Sequence, residues 1–147
     1  MCDNIFSTYG IGHRYPNSNP YIITIKGKIR GFWCYTKHIT SLDVSGCRAL
    51  TSLRCYGNNL TSLDVSKNTA LTSLDCGNNS LTSLDISKNT ALTYLRCGNN
   101  NLSASALNKI FNDLPINDGN IYFNDNPGTD TCDKRILDYK RWECNCR

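Results

Sequence analysis

A 21-residue unit is repeated in the middle of the chain, and this repeat constrains the fold more than any other feature of the sequence. LTSLDVSKNTALTSLDCGNNS, residues 60–80, is followed by LTSLDISKNTALTYLRCGNNN, residues 81–101, and a less regular copy occupies residues 39–59. A fixed period of this length is typical of solenoids, in which each repeat buries its apolar side chains against its neighbours. Apolar residues also recur one period before the first regular copy, at Ile23, Ile29, Phe32 and Cys34. We therefore interpret residues 18–38 as a degenerate first copy.

Each copy has two halves, and both follow the pattern Leu-x-x-Leu-x-apolar-x-x-Asn. Leu63 and Val65 lie two positions apart, as do Leu74 and Cys76, so each pair shares one face of a strand. We expect a strand and a turn in each half, with a short parallel sheet on both sides of a thin core. The asparagines that close the pattern are expected to bind backbone groups that the turns leave unpaired. In the first regular copy Cys47 replaces one of them.

Besides Cys47, the other eight of the nine cysteines fall into two groups. One group occupies the repeat at intervals of 21 residues and fills slots for small apolar side chains: Cys34, Cys55, Cys76 and Cys97. We expect these four thiols to be reduced and buried in one row. Another group lies outside the repeat: Cys2, Cys132, Cys144 and Cys146. The Cys-x-Cys ending is compatible with a disulfide or a metal, but one such pair is a weak signal and free thiols are favoured.

The segment after the repeats has the features of a cap. A first helix is expected from Ser103 or Ser105 to about Asp113, ended by Pro115, and a short strand over residues 121–123. A second helix is expected over residues 130–142, where large apolar residues recur at helical spacing: Ile136, Tyr139 and Trp142. A solenoid end exposes strand edges and an open core, so an element that covers them is needed for solubility.

The repeats resemble the bacterial leucine-rich repeats of the nested 21-residue kind, also called IRREKO repeats, strongly over residues 39–102 and loosely over residues 18–38. The tail, LSASALNKIFNDLP followed by DNPGTDTCDKRILDYKRW, is similar to the cap of many bacterial surface proteins. Those caps often end in Lys-Gly-Trp, where this chain has Lys140, Arg141 and Trp142.

The resemblance implies an α/β repeat solenoid: a short leucine-rich-repeat coil of about four 21-residue turns with short parallel strands, closed by a C-terminal α/β cap. The expected organisation is an N-terminal arm at residues 1–17, repeats at 18–101 and a cap at 102–147. The repeats divide into the copies 18–38, 39–59, 60–80 and 81–101.

The sequence gives little support for catalysis, and we expect no enzyme and no cofactor. Only two histidines are present, and the Cys34–His38 pair combines a histidine with a cysteine of the buried row. No phosphate-binding glycine loop, paired Cys-x-x-Cys or His-Glu-x-x-His is found. Asp43, Asp64 and Asp85 form an outward row that a calcium ion could use, but nearby lysines and solvent also accommodate such a row, and no metal is expected.

The second-half strands differ between copies at their outward positions, and this side of the predicted sheet is the candidate binding surface. The outward residues are aromatic or charged: Trp33, Tyr35, Arg54, Tyr56, Asp75, Tyr94 and Arg96. Trp, Tyr and Arg are enriched at the energetic centres of interfaces. Two structural alternatives stay open, namely that the N-terminal arm covers Trp33 and Tyr35, or that the charged residues form only a cross-strand ladder.

These features favour a binding or adhesion module that recognises a protein. The alternatives are a structural repeat fragment of a larger surface protein and a carbohydrate-binding module. The net charge of +4 is too small and too dispersed for nucleic acid, and no apolar run is long enough to span a membrane. The resemblance favours a secreted or cell-surface location, whereas free thiols and the lack of a recognisable signal peptide leave a cytoplasmic location as the alternative.

Overall fold

The computed structural model describes residues 21–35 and 38–144, apart from the side chain of Tyr21; the expected arm at residues 1–17 lies outside them. Within these residues ten elements follow one another: β1 (Tyr21–Lys26), β2 (Gly31–Trp33), β3 (Ile39–Gly46), β4 (Ser52–Arg54), β5 (Ser73–Asp75), β6 (Tyr94–Arg96), α1 (Ala104–Asp113), β7 (Gly119–Tyr122), α2 (Arg135–Lys140) and β8 (Trp142–Cys144).

A six-stranded parallel sheet runs the length of the coil in the order β2-β4-β5-β6-β7-β8. Leu53, Leu74 and Leu95 lie in register on β4, β5 and β6, and all three are fully buried. Each comes from the same position of a successive copy, so the 21-residue period sets the register of the sheet. The last two strands, β7 and β8, follow the repeats, so the sheet continues through the segment predicted as a cap.

The expected sheet on the opposite side is confined to the first two coils, where β1 pairs with β3. The prediction of a strand in every first half is wrong for residues 63–65 and 84–86, which form none. In these coils Asp64 and Asp85 each accept a hydrogen bond, 2.9 Å long, from the backbone N–H of the serine two residues later. The same bond joins the Ser45 N–H to Asp43 within β3, so it does not by itself prevent strand pairing. What differs in the first two coils is the neighbouring segment: β3 pairs with β1, in which Thr24 of the degenerate copy lies opposite Asp43.

The interior contains the leucines of both halves and the predicted row of thiols. Cys34, Cys55, Cys76 and Cys97 are free and buried, which confirms the expectation for this row. Burial raises the pKa of the Cys34 and Cys97 thiols to about 12. The preference for free thiols outside the repeat is correct for Cys132 and wrong for Cys144, which is disulfide-bonded. Cys2 and Cys146 lie outside the described residues.

A ladder of asparagine side chains follows the turns after the sheet strands, at Asn58, Asn79, Asn100 and Asn126. Asn100 shows the pattern. Its Nδ2 donates to the carbonyl oxygens of Cys76 and Cys97, each 3.1 Å away, and its Oδ1 accepts the backbone N–H of Leu81 at 2.9 Å. Each amide therefore joins neighbouring coils through backbone groups, as the sequence predicted, and Asn126 extends the ladder into the cap.

The turns on the opposite side of the coil carry two more buried asparagines, Asn68 and Asn89. Within the described part of the chain, their side-chain amides use the Nδ2 donors but not the Oδ1 acceptor. Asn89 Nδ2 donates to the carbonyl oxygens of Val65 and Asn68, at 3.1 and 2.9 Å. The Oδ1 atoms of both asparagines have no partner among the described residues. One coil earlier, the Cys47 thiol donates to the carbonyl oxygen of Ile25 at 3.3 Å. Since this site needs only a donor, a thiol can replace the amide.

The first cap helix forms as predicted. Ser103 is the N-cap residue of α1, and its hydroxyl accepts the backbone N–H of Ala106 at 3.2 Å. The helix packs its apolar side chains under the last coil: Leu107, Ile110 and Phe111 are fully buried. The ring of Phe111 meets the edge of Phe123 with 4.9 Å between ring centroids, which joins α1 to the end of β7.

The second cap helix differs from the prediction. Helix α2 spans only Arg135–Lys140, with Leu137 buried and Tyr139 72% exposed. Arg141 then adopts a left-handed conformation, with φ at 63°, in the position where related caps often carry glycine. The left-handed residue ends the helix, so Trp142 lies in β8 with its indole Nε1 donating to the carbonyl oxygen of Pro115 at 2.9 Å. The spacing of Ile136, Tyr139 and Trp142 is therefore not that of one helix face.

Candidate binding face

The solvent side of the six-stranded sheet, here called the variable face, contains all seven residues predicted to bind a partner. The parallel register aligns one row across adjacent strands: Trp33, Arg54, Asp75, Arg96 and Tyr122. A second row, two residues earlier along each strand, reads Gly31, Ser52, Ser73, Tyr94 and Asn120. Neighbouring strands lie about 4.8 Å apart, so residues aligned on adjacent strands are within side-chain contact distance.

Two aromatic side chains form the end of the variable face at β2. Trp33 is 42% exposed and Tyr35, just after the strand, is 58% exposed. The Trp33 ring lies over Gly31, where an added Cβ would be 3.5 Å from the ring. These are two of the large apolar residues that the described chain leaves open to solvent, and they are adjacent. The alternative that the N-terminal arm covers them concerns residues outside the described ranges.

The middle of the face is an ordered charged cluster of Asp75, Arg96 and Tyr56. Asp75 Oδ1 accepts the backbone N–H of Gly77 at 3.2 Å, and its Oδ2 lies 3.9 Å from Nη1 of Arg96. The Arg96 guanidinium also lies over the Tyr56 ring, 4.8 Å from the centroid. The cross-strand ion pair considered as an alternative is therefore present between Asp75 and Arg96.

Asp75 differs from the other outward acids because it is largely shielded from solvent, with 12% of its side chain accessible. Desolvation by burial raises the pKa of Asp75, although the Gly77 N–H and the two nearby arginines, Arg96 and Arg54, act in the opposite direction. By contrast, hydrogen bonds from Ser66 lower the pKa of the exposed Asp64 on the opposite side of the coil. The variable face thus has a partly buried acid. The opposite side of the coil, which carries Asp64 and is here called the uniform side, has solvent-exposed acids.

The aromatic part of the face continues into the cap through a residue that the sequence analysis missed. Tyr122 on β7 packs against Tyr94, with ring centroids 5.6 Å apart. The segment IYFNDN, residues 121–126, repeats the pattern LRCGNN of residues 95–100 with Phe123 in the cysteine slot. The strand itself was predicted over residues 121–123, but the interval of 26 residues breaks the 21-residue period, so the match that places Tyr122 in the outward row was not recognised. The burial of Tyr94 raises its pKa, with further contributions from Asp75 and Tyr122.

The described residues give little support for a reactive thiol, a metal site or a membrane-spanning helix. Cys34, the cysteine nearest in sequence to His38, is buried, and its raised pKa leaves little reactive thiolate at neutral pH. Within residues 21–35 and 38–144, no group of three or more histidine, cysteine or acidic side chains is arranged to hold a metal. In the same part of the chain, the helices are too short and too polar to cross a bilayer.

Comparison with known proteins identifies the architecture. No family model and no curated protein matches the sequence. Among solved structures, the functional domain of InlJ from Listeria monocytogenes, described as including a cysteine ladder, matches with a TM-score of 0.59 and 33% identity over 76% of this chain. The internalin InlF from L. monocytogenes str. 4b F2365 matches with a TM-score of 0.60 and 19% identity over 86% of this chain.

The present chain spans 24% of the InlJ structure and 39% of the InlF structure. The fold is therefore a short leucine-rich-repeat solenoid of the kind seen in internalins, and the resemblance to bacterial leucine-rich-repeat proteins is confirmed. In the present chain, a buried row of free thiols is formed by Cys34, Cys55, Cys76 and Cys97.

Proposed function

We propose that this chain is a non-catalytic binding or adhesion module that contacts a protein through the variable face. The observation that carries the proposal is the exposure of Trp33 and Tyr35 beside an ordered arginine–tyrosine cluster on one side of the coil. Large apolar residues exposed together on a solenoid are typical of contact surfaces. On the opposite side, the described residues of the two most regular copies repeat the same polar residues, and the exposed Ile22 of β1 has no aromatic residue beside it on β3.

The scaffold supports a binding role because its stability does not depend on most of the outward residues. Leucine and cysteine side chains fill the interior, and the asparagine amides bind backbone groups from coil to coil. Outward positions such as Trp33 and Arg54 can therefore vary without loss of the fold. The same separation between a structural interior and a changeable surface is common in repeat proteins that bind partners.

The proposed partner is a protein, and the proposed location is the bacterial cell surface or the medium. Tyr, Trp and Arg are the residue types enriched at protein interfaces, and the cap resembles those of bacterial surface proteins. A carbohydrate partner would use the same aromatic residues with free acids or amides, yet the acid of this face, Asp75, is already bound to Gly77 and Arg96. A structural repeat segment of a longer surface protein is the second candidate, favoured by the partial coverage of both internalins.

A capture experiment with matched variants tests the proposal. The intact protein is immobilised, and proteins retained from bacterial and host surface extracts are identified by mass spectrometry and then purified for titration. The double variant Trp33→Ala, Tyr35→Ala should lower the affinity of a purified partner about tenfold or more, because interface aromatics contribute on the order of 1–4 kcal/mol. Asp64→Ala, on the uniform side, is the control and should change nothing.

The opposite pattern would reject the proposed face. If the Asp64→Ala variant loses as much affinity as the aromatic double variant, the partner binds the uniform side of the coil. Thermal unfolding of all variants verifies that any loss of binding does not come from a loss of folding. A glycan array probed with the same proteins separates the protein-binding function from the carbohydrate-binding alternative.

A further inference from the structure

The two arginines of the central row have different surroundings. Arg96 lies over Tyr56 and beside Asp75, with 44% of its side chain accessible. Arg54 lies on β4, next to the strand that carries Asp75 and on the side away from Arg96, and it is exposed. Among the described residues no acidic group lies within ion-pair distance of Arg54, and the neighbouring carboxylate, Asp75, pairs with Arg96. The central row therefore has two guanidinium groups and one carboxylate.

We propose that the partner of the variable face is a protein segment that places a carboxylate on Arg54 and an apolar side chain on Trp33 and Tyr35. This inference rests on the proposed function and specifies its partner. Arg54 and Trp33 are aligned on adjacent strands, so a charged and an apolar ligand group a few ångströms apart would reach both. An acidic residue next to a large apolar residue in an extended peptide meets this requirement.

The chemistry of the guanidinium favours a carboxylate as the group that binds Arg54. A planar guanidinium forms paired hydrogen bonds with a carboxylate, and such charge-assisted bonds are about twice as strong as neutral ones. Trp33 is aligned with Arg54 on the neighbouring strand, and its ring lies over Gly31. Asp75 attracts Arg54, but among the described residues no ion pair joins the two, and Asp75 accepts the Gly77 N–H and pairs with Arg96.

The same cluster argues against a polyanion and against a neutral glycan. A phosphate backbone needs several free cations in a row, whereas the row that contains Arg54 continues with Asp75 and with an arginine that is already paired. A neutral sugar needs unoccupied acceptors for its hydroxyl groups, and the acid of the face is 12% accessible and already bound. A protein segment with one acid fits the single free guanidinium.

Selection from a phage library of random dodecapeptides tests this inference with the intact chain as bait. The wild-type protein should enrich Asp or Glu next to an apolar residue. Arg54→Glu should reverse the preference toward Lys or Arg, because it replaces the binding cation with an anion. Lys67→Glu, an equal charge change on the uniform side, should leave the acidic preference unchanged. For a synthesised wild-type peptide, Arg54→Gln should weaken binding about tenfold or more, and Arg54→Lys should restore part of it.

The outcomes separate this inference from the proposed function. If wild-type and Arg54→Glu proteins select peptides of the same charge, the carboxylate assignment is overturned. If those peptides still lose affinity on Trp33→Ala, the variable face remains the binding site. If Trp33→Ala binds them unchanged, both proposals fail. Failure to enrich any peptide, or Arg54-dependent binding of sialylated glycans alone on an array, also overturns the assignment to a protein segment.

Discussion

Asn100 and Asn89 come from the same copy of the repeat, and replacing each by cysteine should have very different effects on stability. Asn100 uses both ends of its amide, accepting the Leu81 N–H and donating to two carbonyl oxygens. Asn89 uses only Nδ2, and its Oδ1 is buried without a partner among the described residues. Cys47 already occupies the position that corresponds to Asn89 in the first regular copy.

The magnitudes follow from the groups left unpaired. Asn100→Cys leaves the Leu81 N–H buried without an acceptor, which costs about 1–3 kcal/mol, and removes at least one neutral hydrogen bond of about 1 kcal/mol. The expected loss in free energy of unfolding is about 3 kcal/mol. Asn89→Cys also loses one donor bond of about 1 kcal/mol, but it removes a buried unpaired oxygen, which offsets that loss. The expected net change is between about 0 and 1 kcal/mol.

Urea unfolding monitored by circular dichroism measures both changes, with all proteins in the same reductant so that the Cys144 disulfide is reduced throughout. For a chain of this size, about 3 kcal/mol corresponds to a decrease in Tm of roughly 6–12 °C, which provides a second measurement. Equal losses for the two variants, or a larger loss for Asn89→Cys, would refute the argument. That result would mean that unpaired hydrogen-bonding groups do not determine which asparagines the coil needs.

Three further predictions concern the acid of the variable face, the thiol row and the cap. Because the folded pKa of Asp75 is raised, its contribution to stability falls as the pH increases from about 3.8 through the raised pKa. Over that pH interval the Asp75→Asn variant should therefore gain stability relative to wild type, which urea unfolding at several pH values measures. Iodoacetamide should leave Cys55 and Cys76 unmodified in the native protein and modify them after unfolding, as judged by peptide mass spectrometry; rapid native labelling would contradict the coil register. Gly128→Ala should destabilise the protein by about 1–3 kcal/mol in thermal unfolding, since its Cβ would lie 2.2 Å from the backbone nitrogen of Ala104; an unchanged Tm would show that the cap loop does not pack tightly on α1.

The features that repeat every 21 residues could be predicted from sequence because one residue pattern determines several positions at once. The buried thiols, the register of the sheet and the alignment of Arg54, Asp75 and Arg96 all follow from the period. The N-cap at Ser103 could also be predicted, because a hydroxyl before an apolar helical pattern satisfies free backbone donors locally. These inferences needed only local or periodic information.

The wrong predictions concern backbone pairing and backbone conformation, which periodicity does not report. Residues 63–65 have the alternation of a strand, yet no strand forms there, although Asp64 binds the Ser66 N–H just as Asp43 binds the Ser45 N–H within β3. In the cap, Trp142 has helical spacing from Tyr139, yet the left-handed conformation of Arg141 ends the helix between them. A non-glycine residue in that conformation is uncommon, so the sequence favoured continuation of the helix.

The structure also divides the variable face into an ordered part and an accessible part, which the sequence alone does not do. Asp75, Arg96 and Tyr56 already contact one another, so their positions are set before any partner arrives. Trp33, Tyr35 and Arg54 are exposed and lie outside this set of mutual contacts, so their binding capacity is free for a partner. Binding to a surface whose neighbouring side chains are already ordered loses less conformational entropy than binding to a mobile one. Substitutions in the accessible part should therefore change affinity directly, whereas those at Tyr56 or Asp75 should act by releasing Arg96 and disordering the support beside it.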